Sequence, residues 1–335
     1  MVKRDLKKIV EELKLPIDAK EKISQHRLEI QNILKGVDKR KIMIVGPCSA
    51  WPVEAVLDYA KKLKKLTEEV EEKVKIIMRV YSQKPRTVLG WSGILFQPDP
   101  FKKADVYEGV VTTRKMMLKI IELGLPIADE ALFIESGKFL NDLYSYVALG
   151  ARSSEDHEHR TYASNLPLAV GVKNPTSGDL EIAINSVLAC QARHSFLYDN
   201  QQVNSSGNDF AHLILRGGKK GPNYNLDSLK TVLEKFQQNK VKNPTVIIDL
   251  NHGNSGKKSD LQPKIMAEVL KNISNKNELK DLVKGFMMES FLQSGKQDPK
   301  TITRESCNYE GLSITDDCLG WEKTEKAIGK LAEWV

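Results

Sequence analysis

The chain has 335 residues, 41% of them apolar, enough to bury the core of one large barrel domain or of two ordinary ones. No apolar run approaches the ~20 residues of a bilayer span, and the charged opening Met1-Val2-Lys3-Arg4-Asp5 lacks the apolar stretch of a secretion signal; the expectation is a soluble, cytoplasmic protein with no membrane partner. The formal charge of +7, from 51 basic and 44 acidic side chains, is spread along the chain and forms no basic stripe with interleaved aromatics, which argues against nucleic acid as a partner.

Residues 1–40 read as a helical extension that packs on the rest of the chain or on a second subunit. From residue 41 onward, short β-branched runs alternate with helical patterns. The first run is Lys41–Gly46, leading into Pro47-Cys48-Ser49. A helix follows, with Val53, Val56, Leu57, Ala60, Leu63, Leu66 and Val70 on one face. Further runs are Val74–Val80, Leu125–Glu130, Tyr146–Arg152 and Leu168–Lys173. Arg193–Tyr198 and Gln202–Ser205 read as a short hairpin inserted before the sixth run, Ala211–Arg216. Thr245–Asp249 and Val283–Glu289 complete the set. Eight strands with intervening helices predict an α/β fold, a TIM (β/α)8 barrel over residues 41–335. No strand is followed by GxGxxG, so a dinucleotide fold is not supported.

In such a barrel the site lies at the C-terminal ends of the strands. Those ends carry Cys48, Arg79, Glu130, Arg152, Lys173, Arg216, Asp249 with His252 close behind, and Glu289. Two chemical groups emerge. Arg79, Lys84, Arg86, Arg152, Lys173 and Arg216 are cations suited to phosphate and carboxylate, so a substrate with two or more anionic groups is implied. Cys48, His252, Glu289 and Asp316 offer sulfur, nitrogen and oxygen donors. Such a set suits a first-row divalent ion and does not choose among manganese, iron, cobalt and zinc. Taken singly, Cys48 is as readily a small buried side chain and His252 a loop histidine; the metal reading depends on the barrel bringing them together. The four cysteines, Cys48, Cys190, Cys307 and Cys318, form no CxxC pair, against a zinc ribbon or a disulfide framework. Gly217 and Gly218 after Arg216 let the backbone approach a ligand closely.

Several stretches then carry a resemblance. They are Gly46-Pro47-Cys48-Ser49, Met78-Arg79-Val80-Tyr81, Lys84-Pro85-Arg86-Thr87, Gly90-Trp91 and Gly150-Ala151-Arg152 in the first half. Val172-Lys173-Asn174, Ile214-Leu215-Arg216-Gly217-Gly218, Asn251-His252, Met288-Glu289-Ser290 and Ser313-Ile314-Thr315-Asp316 follow. In order and spacing they resemble the class I 3-deoxy-D-arabino-heptulosonate 7-phosphate (DAHP) synthases, from about residue 28 to the C-terminus. The resemblance implies a metal-dependent condensation of phosphoenolpyruvate with erythrose 4-phosphate, the first step of aromatic amino acid biosynthesis by the shikimate pathway, in a homo-oligomer (dimer or tetramer). It implies that Cys48, His252, Glu289 and Asp316 ligate the metal. Arg79, Lys84, Glu130, Ala151, Arg152, Lys173 and Arg216 would form the phosphoenolpyruvate pocket, and Arg86 and Thr87 would take the aldose phosphate. Lys84, Arg79 and His252 are the expected catalytic residues. For Lys84 the reason is that crowding by cations should lower a lysine pKa and fit it for proton transfer.

The chain departs from the family's pattern near these residues. Trp51 stands for a histidine, Val88 for a threonine, Phe291 for a histidine and Asp317 for an alanine. The places where many relatives hold an aromatic effector carry Phe133 and Gly137-Lys138, and the hairpin connection from Tyr198 to Asn204 is short. Weak or absent feedback inhibition is the expectation. Two other readings stay open: a related synthase acting on another aldose phosphate or an amino analogue in secondary metabolism, and a non-catalytic barrel that binds phosphometabolites or nucleic acid.

Overall fold

The structure, a computed structural model, describes residues 5–85 and 90–335. Arg86, Thr87 and Val88 therefore lie outside the described residues.

The strand-like runs form the predicted barrel. Its strands are β1 (Lys41–Gly46), β2 (Val74–Arg79), β3 (Ile127–Ala131), β4 (Tyr146–Leu149), β5 (Ala169–Lys173), β8 (Ala211–Leu215), β9 (Val246–Asp249) and β10 (Val283–Glu289), with the hairpin strands β6 (Ser195–Tyr198) and β7 (Gln201–Asn204) between β5 and β8. The order β1-β10-β9-β8-β5-β4-β3-β2 is closed and every barrel pairing is parallel. Alternation along β1 shows how the strands serve two cores. Ile42 and Ile44 join the cluster in the lumen, while Met43 and Val45 face the surrounding helices.

The helices are α1 (Lys7–Glu12), α2 (Ile17–Lys35), α3 (Val53–Val70), α4 (Val106–Glu122), α5 (Gly137–Leu140), α6 (His157–Ser164), α7 (Leu180–Gln191), α8 (Leu226–Gln238), α9 (His252–Ser255), α10 (Gln262–Ile273), α11 (Asn277–Leu282) and α12 (Trp321–Trp334). Asp105, Asp156, Asp179 and Asn225 begin α4, α6, α7 and α8 by accepting from free backbone N–H groups of the first turn. None of the described helices is long and apolar enough to cross a membrane.

Helix α2 packs on this chain's own barrel. Its Ile30, Ile33 and Leu34 belong to the lumen cluster. Glu29 pairs with Lys75 at the start of β2 (2.7 Å) and with Arg40 (3.1 Å). The Leu34 carbonyl accepts from Thr245 Oγ1, beside the start of β9. The helix therefore plugs the end of the barrel opposite the chemistry-bearing strand ends.

Three strands stop earlier than the sequence patterns predict; β2 ends at Arg79, one residue before Val80. β4 ends at Leu149, and Gly150-Ala151-Arg152 turns away from the ladder. A Cβ at Gly150 would lie 2.0 Å from Glu130 Oε1, so a larger residue here would displace that carboxylate. β8 ends at Leu215, because the Arg216 amide donates to Asn174 Oδ1 (2.8 Å) and leaves the strand pairing.

Candidate active site

At the C-terminal mouth of the barrel the loops enclose a cavity of about 270 Å³. Arg79, Lys84, Arg152, Lys173 and Arg216 line it, with Glu130, Ala151, Cys48, His252 and Asp316. Residues from nearly 270 positions of chain are thus gathered around one small volume, because each follows or ends a barrel strand.

Three of the four expected metal ligands stand together. Donor atoms of Cys48, Glu289 and Asp316 all lie within 4.8 Å of one another. His252 stands beside this group, its Nε2 3.8 Å from Glu289 Oε1. Its Nδ1 is 2.9 Å from Asp249 Oδ2, at ion-pair distance but off the hydrogen-bond axis. One thiol, two carboxylates and an adjacent imidazole form a donor set that fits a first-row divalent ion. The carboxylates are held from behind. Glu289 accepts from Arg79 Nη2 (2.6 Å) and from Asn251 Nδ2, and its backbone N–H and C=O both bond the Gln262 side chain (2.9 Å each). Asp316 receives Lys257 Nζ on both oxygens (3.0 Å each).

The cations divide by what balances them. Arg79, 1% exposed, spends one guanidinium edge on Glu289 and donates Nε to the Pro47 carbonyl (3.1 Å). Lys173 Nζ is 3.5 Å from Asp249 Oδ2. Lys84 Nζ donates to the Cys48 carbonyl and lies 3.1 Å from its Sγ. Burial pushes the Arg216 guanidinium below its ordinary pKa.

The expected lowering of the Lys84 pKa is overturned. Burial does push it down, but the Cys48 sulfur and the Glu289 carboxylate outweigh burial and the neighbouring Arg79, and the net direction is upward. The cations alone set the expected direction, whereas Cys48 and Glu289, remote in sequence, also face Lys84. Burial also raises the Cys48 thiol, with Glu289 adding to the effect and Lys84 opposing it.

The glycine pair after Arg216 is also packed against neighbouring backbone. Gly217 has φ +70°, and a Cβ there would lie 2.4 Å from the Gly253 carbonyl carbon; a Cβ on Gly218 would lie 2.3 Å from Gly178 Cα. The pair lets three loops of the mouth touch backbone to backbone, which fixes Arg216 relative to His252. The sequence marks Asp249 as a strand end and Asn251 as part of the Asn251-His252 stretch, but gives neither of them, nor Lys257, a role. Each acts by supporting a neighbour, and no spacing rule marks such a role.

Three of the altered neighbours, Trp51, Phe291 and Asp317, are accommodated. Trp51 is buried against Trp91, Phe101 and Tyr309, with ring centroids 6.4, 6.4 and 5.5 Å away. Phe291 is buried against Tyr59, and Asp317 accepts from the Ser259 amide (2.8 Å). Cys318 sits behind Cys48, whose amide donates to its sulfur (3.3 Å).

The sequence profile described as the DAHP synthetase I family matches residues 14–328. The chain belongs to this family. The DAHP synthetase I relatives include the Trp-sensitive phospho-2-dehydro-3-deoxyheptonate aldolase of Escherichia coli K12, 38% identical over 93% of this chain and 89% of that protein. The phenylalanine-inhibited phospho-2-dehydro-3-deoxyheptonate aldolase of Saccharomyces cerevisiae is 39% identical over 96% of this chain and 88% of its own. Among solved structures, the phospho-2-dehydro-3-deoxyheptonate aldolase of Francisella tularensis SCHU S4 superposes with a TM-score of 0.93 at 32% identity, covering 100% of this chain and 98% of that one. The eight-stranded barrel is thus the family's fold as well as this chain's.

Proposed function

We propose that this member of the DAHP synthetase I family condenses phosphoenolpyruvate with erythrose 4-phosphate and water, giving DAHP and phosphate. The enzyme is a DAHP synthase of the first step of aromatic biosynthesis. The observation that carries the substrate reading is the mouth itself: six cations, Lys257 among them, and the metal-type donors Cys48, His252 and Asp316 share one cavity of about 270 Å³.

Phosphoenolpyruvate brings a phosphate and a carboxylate, and Arg79, Lys84, Arg152, Lys173 and Arg216 supply matching cations from several directions. Arg86 and Thr87, two and three residues beyond Lys84 in the sequence, take the aldose phosphate in this reading. The enol carbon of phosphoenolpyruvate attacks the aldehyde carbon, water adds to the adjacent carbon, and phosphate departs with the C–O bond electrons. Fixed cations stabilise the charge on the departing phosphate and hold the two reacting carbons in register. Lys84 is the residue for proton transfer at this mouth. Its Nζ, which donates to the Cys48 carbonyl and lies 3.1 Å from Cys48 Sγ, is placed between the cation set and the donor group. Cys48, His252, Glu289 and Asp316 would hold a divalent ion, which supplies Lewis-acid polarisation of a carbonyl oxygen.

Weak or absent feedback inhibition is part of the proposal, although relatives are named for sensitivity to tryptophan, phenylalanine or tyrosine. It is supported by how the corresponding places are filled. Lys138 Nζ bridges Glu135 (2.7 Å) and Asp199 of the hairpin turn (3.1 Å) and lies over the Tyr198 ring. A Cβ on Gly137 would meet Tyr162 Oη at 2.3 Å.

The deciding experiment is a phosphate-release assay with phosphoenolpyruvate and erythrose 4-phosphate, repeated with arabinose 5-phosphate, before and after chelation and with single metals restored. Turnover on erythrose 4-phosphate that is lost with EDTA and regained with a divalent ion is the expected result. Preference for the five-carbon aldose, or turnover indifferent to EDTA, overturns the corresponding half of the proposal.

A further inference from the structure

We infer that Tyr81 is a positioning residue for the anion-binding cations, its ring holding Arg79, Lys84 and Lys173 in the arrangement that receives phosphoenolpyruvate. The inference rests on the substrate reading above and names a residue that reading does not use.

All three cations lie within cation–π range of this single ring. Arg79 Cζ is 3.7 Å from the ring centroid, at stacking distance, Lys173 Nζ is 5.4 Å away and Lys84 Nζ 5.8 Å. The ring is 1% exposed and belongs to the lumen core. It does not border the mouth cavity, whereas each of the three cations does. The ring therefore meets the cations from the protein side, and a ligand meets them from the cavity side.

That placement separates Tyr81 from the carboxylates nearby. Glu289 and Asp249 also balance Arg79 and Lys173, but a carboxylate competes with an anionic ligand for the same N–H groups. An aromatic face attracts cations through its quadrupole and takes no N–H from them. Its contact persists when the ligand arrives, so its contribution is to reduce the ordering that binding requires. Met287 fixes the geometry, since its sulfur accepts from both Tyr81 Oη (3.7 Å) and Arg79 Nη1 (3.4 Å). Burial holds the phenol proton well above its ordinary pKa, which keeps the ring neutral beside the cations.

The test is calorimetric titration of phosphoenolpyruvate into the wild type, Tyr81→Phe and Tyr81→Leu, with steady-state kinetics alongside. Tyr81→Leu should raise both Kd and KM for phosphoenolpyruvate about tenfold, the equivalent of ~1.4 kcal/mol of cation–π interaction. KM for erythrose 4-phosphate should move much less, and Tyr81→Phe, which keeps the ring, should recover most of the loss. Unchanged phosphoenolpyruvate affinity in Tyr81→Leu overturns the inference, as does equal damage in Tyr81→Phe. If Tyr81→Leu does not fold, a series of fluorinated phenylalanines at position 81 weakens the quadrupole at nearly constant shape. Kd should then rise with each fluorine, and a flat series overturns the inference. The wild type separates the two layers of argument. No binding heat with phosphoenolpyruvate sinks the substrate reading, while normal wild-type heat with an unaffected Tyr81→Leu sinks only the role of Tyr81.

Discussion

At the scale of single residues, Lys84 is the most exposed to experiment. It lies at the junction of the cation set and the metal-type donors, with Cys48 Sγ 3.1 Å away. Lys84→Met should lower kcat by at least ~100-fold, the lower range for losing a general acid. A variant that keeps kcat and loses only phosphoenolpyruvate affinity refutes the proton-transfer role. Cys48 makes the second prediction, read without any activity. Cys48→Ala should weaken divalent-ion binding by more than the ~10–100-fold typical of losing an outer partner of a metal site. Metal content after equilibrium dialysis measures it, and undiminished content would remove Cys48 from the ligand set.

Among the elements, α2 has the sharpest electrostatic signature. Burial opposes ionisation of Glu29, but Lys75 and then Arg40 outweigh it and bring the carboxyl down to about 2. A carboxyl depressed below its unfolded pKa of ~4.3 stabilises the fold above that value and loses the effect as pH falls toward the folded one. Glu29→Gln should therefore cost ~1 kcal/mol near pH 7, since solvent screens this partly exposed pair, and the gap to wild type should close as pH drops through 4 toward 2. Urea unfolding at several pH values tests this, and a pH-independent gap would show that packing alone is involved. The hairpin β6–β7 carries another prediction. Asp199 and Asn200 both adopt positive φ (52° and 61°), the type I′ geometry that closes a two-residue turn. With Lys138 tied to this turn and to Glu135, phenylalanine and tyrosine should inhibit weakly or not at all. Micromolar inhibition by either contradicts this.

For the whole molecule, self-association is the expectation that the single chain leaves to solution measurement. Leu197 of the hairpin is 85% exposed and Ile17 at the start of α2 is 78% exposed, and both suit burial against a second copy. Sedimentation velocity should show a dimer or tetramer that Leu197→Asp weakens. A monomer at micromolar concentration refutes it.

Much of this protein was legible in the chain. The β-branched runs and their spacing specify eight strands, because a strand buried on both faces is mostly apolar. The identity of each strand's last residue followed, since the barrel places every such residue at one mouth. Contacts between loops were another matter. Gly150 passing over Glu130, Gly217 against Gly253, and Lys257 on Asp316 join positions far apart in sequence and leave no periodic trace. The Lys84 direction was misjudged for the same reason. Its pKa depends on a sum over distances, and Cys48 and Glu289, remote in sequence, act on it more strongly than Arg79 does. Sequence alone thus determined which residues reach the mouth, and the tertiary structure decided which of them face one another. Strand pattern is a local property, whereas electrostatic and steric balance belong to the closed barrel.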